Sequence, residues 1–536
     1  METNKIKTFR AIVLKSLIGV CLICSPAFAQ TVNINPSAEH QTIRGFGGMN
    51  APGWIADLTS AQVDTAFGNG DGQLGLSIMR MRIDPNSNNW RIQVPAAVRA
   101  KSHGAILLAS PWSPPAYMKT NNNLNNGGKL RPEYYGAYTD HLLSFTNFMA
   151  SNNASVYALS IQNEPDWHPN YESADWSATD FVNYLSTQGS RFGALKVVAP
   201  ESLNFNPALS DPFLNNANTA QHVDIIGGHL YGRAPRDYPL ARSKGKELWM
   251  TEHYTESQNS ANAWPLALDV GTELHQSMVA NFNAYIWWYI RRSYGLLTED
   301  GNISKRGYLL AQYSKFVRPG YVRIAATEQP LAGVFVTAYK GPNNRIVVIA
   351  VNTTTSHRNL NLNLQNVNVG QFVKYSTSAS LSLGFGGRTS VAGNSASVWV
   401  DPQSVATFVS ETVSGSSSSV SSTSSSRSSV SVSSQSSSQP SSQSSSVASS
   451  VSGGITASVE ISNDWGSGYC ANLLVDNNTG APVTWNVSVA VEGTVNNLWN
   501  GSWSQSGSTL TVAGVGWNSQ LQPGQTESSV GFCASR

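Results

Sequence analysis

Two glutamates could do chemistry here. Glu164 closes the stretch A-L-S-I-Q-N-E (Ala158–Glu164), and Glu252 sits near the end of E-L-W-M-T-E-H-Y (Glu247–Tyr254). Val156–Ile161 reads as a buried strand that gives way to Gln162, Asn163 and Glu164. Pro165 then follows, and without an N–H it cannot continue a ladder. In the second stretch Leu248–Met250 are apolar before Glu252 appears. A carboxylate at the tip of each of two buried strands suits cleavage of a glycosidic bond. One carboxyl protonates the leaving oxygen, and the other attacks the anomeric carbon or activates water to do so. Asn163 is placed to bind the neighbouring sugar hydroxyl, a contact that strengthens in the transition state. A single such Glu is more often a salt-bridged rim residue. Two of them, each at a strand tip among aromatics, favour catalysis.

The elements that must hold this pair are legible as eight apolar runs: Ile43–Gly48, Leu76–Ile83, Ala105–Ala109, Val156–Ile161, Lys196–Ala199, Asp224–His229, Glu247–Met250 and Ala284–Tyr289. They alternate with helix-length amphipathic segments, the pattern of a parallel sheet covered by helices. Many runs end in polar groups, including Arg82–Asp84, Asn163–Glu164, His229–Tyr231 and Arg291–Arg292. The expected fold class is α/β, a (β/α)8 TIM barrel spanning about 42–318 whose strand tips converge on one cleft. An open doubly wound sheet is the disfavoured alternative, since no G-x-G-x-x-G phosphate turn stands between a strand run and a helix. From Pro319 the pattern changes to short alternating runs with turn signals. These predict a side β domain built from 30–41 and 319–412, completing a body of 30–412.

The chain has 536 residues, more than one domain usually holds. Met1–Ala29 reads as a secretory leader: Lys5, Lys7 and Arg10, then an apolar run too short to span a bilayer, then Ala27-Phe28-Ala29. Residues 413–454 are mostly serine, with Val, Gln and the single charge Arg427, and read as a flexible linker ahead of a module at 455–536. With about 40 residues its root-mean-square span is on the order of 35 Å. Of four cysteines, two lie in the leader, so Cys470 and Cys533 are most simply one disulfide. Neither a metal nor a cofactor is expected. The formal charge is +2, which offers no electrostatic grip on nucleic acid. With 15 Trp, 19 Tyr and only 12 % charged residues, the composition suits a neutral polymer that stacks on rings.

The body resembles glycoside hydrolase family 30, and within it the glucuronoxylanase branch, from about Thr31 to Val409. The matching stretches are T-I-R-G-F-G-G-M-N (Thr42–Asn50), L-S-I-M-R-M-R-I-D-P (Leu76–Pro85), A-S-P-W-S-P-P-A-Y-M-K (Ala109–Lys119), L-S-I-Q-N-E-P-D (Leu159–Asp166), W-M-T-E-H-Y (Trp249–Tyr254) and W-W-Y-I-R-R-S-Y-G (Trp287–Gly295). The resemblance implies a retaining enzyme with Glu164 as acid/base and Glu252 as nucleophile. It implies glucuronoxylan as substrate, with the acidic branch held by Arg292, Tyr294, Tyr254 and Ser257. A guanidinium gripping a carboxylate is independently sensible chemistry. Arg291 is expected instead in a structural ion pair. Trp112, Tyr231 and Trp288 are expected around the sugar subsites.

The C-terminal unit shows strand runs and no helical stretch, so a small all-β sandwich is expected. Trp465, Trp499 and Trp517 stand in polar, turn-like surroundings, whereas Trp485 lies in a strand run and is expected in the core. The unit resembles carbohydrate-binding module family 2 through N-D-W-G-S-G-Y, S-W-S-Q-S-G and G-W-N-S-Q-L-Q-P-G. That implies a strip of Trp465, Trp499 and Trp517 stacking on cellulose, or on xylan. The resulting expectation is a secreted, monomeric glucuronoxylanase with no membrane segment. The alternatives are another family 30 activity, such as a β-1,6-glucanase or glucosylceramidase, and a non-catalytic polysaccharide-binding protein.

Overall fold

The structure is a computed structural model describing residues 29–255, 257–411, 448–450, 454–464, 466–528 and 530–536. The expected leader up to residue 28, most of the expected linker and Trp465 lie outside the described residues.

Strand β1 (Gln30–Thr42) belongs to the side domain. It leads into β2 (Gly45–Asn50), β3 (Ile78–Ile83), β4 (Ile106–Pro111), β5 (Ala158–Ser160), β6 (Lys196–Ser202), β7 (Ile225–His229), β8 (Glu247–Glu252) and β9 (Ala284–Tyr289). Strands β2 to β9 close a parallel barrel in chain order, with β9 pairing back to β2. The fold class is the expected one. Strand β5 is shorter than its apolar run: pairing ends at Ser160, ahead of Pro165. The backbone beyond it is held by Asn163 N–H donating to Pro111 O and Glu164 N–H to Glu201 O, both at 2.9 Å.

Side chains alternate in and out along each strand, and this sorts the barrel interior into layers. Ile78, Leu108, Ala158, Val198, Ile225, Trp249, Ala284 and Ile286 form one buried apolar floor. Two residues further along their strands stand Arg80, Ser110, Ser160 and Thr251, all buried and polar. The interior thus turns from apolar to polar towards the carboxyl ends of the strands, where a barrel carries its site.

The side domain is a single nine-stranded sheet. It contains β1, β10 (Val322–Ala326), β11 (Val334–Lys340), β12 (Ile346–Asn352), β13 (Arg358–Leu364), β14 (Gln371–Thr377), β15 (Gly384–Ser390), β16 (Ser395–Val400) and β17 (Ser404–Glu411). Its pairings are antiparallel except β1 with β13, which run parallel. Strands β13, β15 and β17 were not read as runs; β13 and β15 are rich in asparagine and glycine, which are poor strand formers. On β12, Ile346, Val348 and Ala350 enter the sheet's own core, while Val347, Ile349 and Val351 join the barrel's cluster. Each of the three stabilises the junction by roughly 1.5–3 kcal/mol.

The C-terminal module is all β, as expected, around Tyr469, Leu473, Trp485, Val487 and Phe532. Trp485 is 1 % exposed and donates to Asn518 O at 2.6 Å. Cys470 and Cys533 are register partners on antiparallel strands and form the disulfide. Ala448–Ser450, inside the expected linker, pairs with Thr456–Ser458, so ordered strand reaches further back than residue 455.

Candidate active site

At the carboxyl ends of the barrel strands lies a cleft of about 740 Å³. Glu164 and Glu252 face it, with Trp54, Trp112, Tyr171, Tyr231, Tyr254 and Trp288 as walls. Both carboxylates are at least nine-tenths buried, at 6 % and 5 % exposure. Strict alternation along β8 from inward Trp249 would turn Glu252 outward. A register shift between β7 and β8, after Gly228, re-aims it into the cleft. Glu164 has a φ of 45°, a left-handed turn that aims its side chain back over the barrel.

A buried network joins the pair. Arg80 Nη1 donates to Glu252 Oε2 at 2.5 Å, and Tyr231 Oη donates to Glu252 Oε1 at 2.8 Å. Arg80 Nη2 reaches Asn163 Oδ1 at 2.6 Å and Glu201 Oε1 at 2.9 Å. Its guanidinium lies 4.7 Å from the centre of the Trp112 ring, so the cation stacks as well as bonds. His229 Nδ1 is 2.9 Å from Glu164 Oε1, and its Nε2 lies 3.8 Å from Glu201 and 3.9 Å from Glu252.

The charges follow from these contacts. Burial pushes the Glu164 carboxyl up; the His229 bond opposes this without reversing it. Burial alone would raise Glu201 too, but Arg80 and His229 outweigh it and hold that carboxyl at about 2. For His229 burial acts downward, yet Glu252, Glu164 and Glu201 together lift it to about 9. At neutral pH the site therefore carries an imidazolium beside Glu164.

The residues expected around the acidic branch are partly gathered. Tyr254 and Tyr294 stack at 4.8 Å between ring centres, and Tyr231 meets Tyr254 edge-on at 5.7 Å. Burial raises the Tyr294 hydroxyl, with Tyr254 adding to this and the Arg292 hydrogen bond opposing it. Arg292 is open to solvent and pairs with Glu299 at 3.2 Å. Ser257 is exposed, and its carbonyl is tied down by Ser260 Oγ. Among the described residues Arg291 has no ion-pair partner: it bonds Gln62 Oε1 at 2.9 Å and Ala56 O at 2.8 Å, locking a loop. Trp112 and Trp288 pack together at 5.8 Å with Trp54 against both, forming one aromatic wall.

Glu164, His229 and Glu252 also have ligand atoms within 4.8 Å of one another, the one such group among the described residues. A metal there would compete with Arg80 and Tyr231 for Glu252 and with the imidazolium for Glu164.

In the module, Trp499 is the last residue of the strand Thr494–Trp499 rather than part of a turn, and it is 39 % exposed. Trp517 lies in the short helical turn Gly516–Asn518. Trp503, which the sequence did not single out, is 40 % exposed on the strand Gly501–Ser506.

Three residues at the heart of the site escaped sequence reasoning: Arg80, Glu201 and, in its bridging role, His229. Arg80 had a signal, since a charge inside the run L-S-I-M-R-M-R-I must find a partner. Glu201 had none beyond following a strand run.

Comparison with known proteins agrees with this layout. Residues 69–311 match the glycosyl hydrolase family 30 TIM-barrel domain, 320–408 the glycosyl hydrolase family 30 beta sandwich domain, and 455–536 a cellulose binding domain. The glucuronoxylanase XynC of Bacillus subtilis is 47 % identical over 391 residues, covering 71 % of this chain and 92 % of that protein. The crystal structure of a family 30 subfamily 8 xylanase from Clostridium acetobutylicum superposes with a TM-score of 0.67 at 40 % identity, covering 72 % of this chain and 100 % of that one. A family 30 endoxylanase from Clostridium papyrosolvens does so with a TM-score of 0.65 at 35 % identity, covering 71 % and 99 %. With barrel, side sandwich and nearly the whole length of a curated relative matched, the chain belongs to glycosyl hydrolase family 30.

Proposed function

We propose that this glycoside hydrolase is a secreted, retaining endo-β-1,4-xylanase that cleaves glucuronoxylan where a (methyl)glucuronic acid branch directs it, and that its C-terminal module holds it on cellulose. The supporting observation is the carboxylate pair. Oxygens of Glu164 and Glu252 lie within 4.8 Å of each other. That suits the separation of about 5–5.5 Å typical of retaining enzymes and leaves no room for the water of an inverting one.

In this reading Glu252 attacks the anomeric carbon while Arg80 and Tyr231 hold its two oxygens in line. Glu164, whose carboxyl is pushed up by burial, gives its proton to the departing sugar oxygen. It then takes a proton from the water that releases the glycosyl enzyme. The Asn163 carbonyl is committed to Arg80, which leaves its Nδ2 as the donor for the sugar hydroxyl. Tyr254 lines the cleft and Tyr294 stacks on it; together with Arg292 and Ser257 they are proposed to grip the branch carboxylate. In the free enzyme Glu299 stands in for that carboxylate.

The leader is proposed to be removed after Ala29. Strand β1 begins at Gln30, so no strand residue would be lost. Linker 413–454, a monomeric state and extracellular action complete the proposal. Product analysis on glucuronoxylan and on arabinoxylan lacking glucuronic acid tests it. Products with one acidic branch at a fixed position from the reducing end are expected from the first and little hydrolysis of the second. Equal cleavage of both would remove the branch-directed reading.

A further inference from the structure

We infer that Glu201, the third buried carboxylate of the site, is a positioning residue that keeps the cluster's shared proton on Glu164 by holding Arg80 and His229 beneath the reacting pair. This rests on the proposed role of Glu164 as proton donor.

Five ionisable side chains meet at the bottom of the cleft: Glu164, Glu201 and Glu252 against Arg80 and His229. Glu201, Arg80 and His229 are fully buried, and the other two nearly so. Three carboxylates against two cations leave one uncompensated negative charge, which a buried cluster tolerates poorly. One proton makes the set neutral, and the hydrogen bonds decide where it resides. Glu252 receives Arg80 Nη1 at 2.5 Å and Tyr231 Oη at 2.8 Å. Glu201 receives Arg80 Nη2 at 2.9 Å and Ser110 Oγ at 3.2 Å, with His229 Nε2 3.8 Å away. Glu164 receives His229 Nδ1 at 2.9 Å and no guanidinium. The carboxylate with the weakest set of donors takes the proton, and that is Glu164, the one at the leaving group.

Glu201 reaches this position through a local irregularity. Alternation from inward Val198 would point it out of the barrel. The register shift between Pro200 and Ser202, with Glu201 at a φ of 56°, turns it inward between β3, β4 and β7. A left-handed glutamate is uncommon and strained. The remaining groups facing the cluster are Ser160 on β5, Tyr231 after β7 and Tyr171 at the rim, none charged at neutral pH. The depressed Glu201 and raised Glu164 carboxyls agree with the assignment.

Glu201→Gln keeps the shape and removes the charge, so the cluster is neutral without a proton on Glu164. On glucuronoxylan the alkaline limb of kcat/KM is expected to move to lower pH by about one unit or more, the size of effect a close charge has on a carboxyl. Glu201→Asp keeps the charge, so its limb should stay with the parent even as kcat falls. It also decides the matter if the Gln variant does not fold. A Gln limb that stays put, or an Asp limb that moves, overturns the inference. A dinitrophenyl glycoside of the acidic xylo-oligosaccharide, whose leaving group needs no proton, separates the two layers. In the parent its alkaline limb should flatten. If it persists, the reading of Glu164 is wrong. If it flattens while Glu201→Gln leaves the glucuronoxylan limb unmoved, only the role of Glu201 fails.

Discussion

Arg80 and Glu252 are 172 residues apart in sequence and 2.5 Å apart in the barrel, one fully buried cation on the proposed nucleophile. The same guanidinium serves Glu201 and Asn163, so one side chain sets the geometry of three others.

Arg80→Gln leaves two buried carboxylates without their cation. A loss of about 3–5 kcal/mol is expected, the usual effect of breaking a buried pair from one side. Denaturant unfolding measures it. Glu252→Ala should abolish turnover while Arg80 keeps Glu201 as a partner. Parent-like rates in that variant would remove the nucleophile assignment.

Arg292 should behave differently. Its pair with Glu299 is exposed and contributes at most about 1 kcal/mol, so Arg292→Ala should melt with the parent. Its activity on glucuronoxylan should fall at least tenfold through the lost grip on the acidic branch. Glu299→Gln should keep or raise affinity for acidic oligosaccharides by freeing the guanidinium. A drop in affinity there would mean that Glu299 orients Arg292 rather than competing for it.

His229 couples stability to pH. Its folded value of about 9 exceeds the ordinary 6.5, so its charged contacts stabilise fully below 6.5 and are lost as pH rises through about 9. The thermal midpoint of the parent should therefore decline over that window. His229→Gln should start lower and lack that part of the decline. A parallel decline in both proteins would place the alkaline sensitivity elsewhere.

In the module, Trp499 and Trp503 expose their rings. Trp499→Ala and Trp517→Ala should each weaken pull-down on cellulose severalfold, stacking rings being the main apolar contact available to a sugar face. Trp503→Ala reports whether that ring shares the surface. Undiminished binding by both of the first two would reject the strip.

Much of this was legible in the chain itself. Eight apolar runs specify eight strands, because a strand buried on both faces must be apolar throughout. Polar residues at the ends of those runs mark the cleft, which is how Glu164, Asn163 and Glu252 could be named. The sequence also determined the side domain, the all-β module and its cysteine pair, since alternation and cysteine number are local properties. Only the tertiary structure decided that Glu201 faces inward, that His229 bridges the carboxylates and that Arg292 meets Glu299. The reason is physical. Period-two alternation assigns a face only while pairing is regular, and the shifts after Gly228 and at Pro200 reverse it for Glu252 and Glu201. Barrel closure then chooses which distant side chains meet.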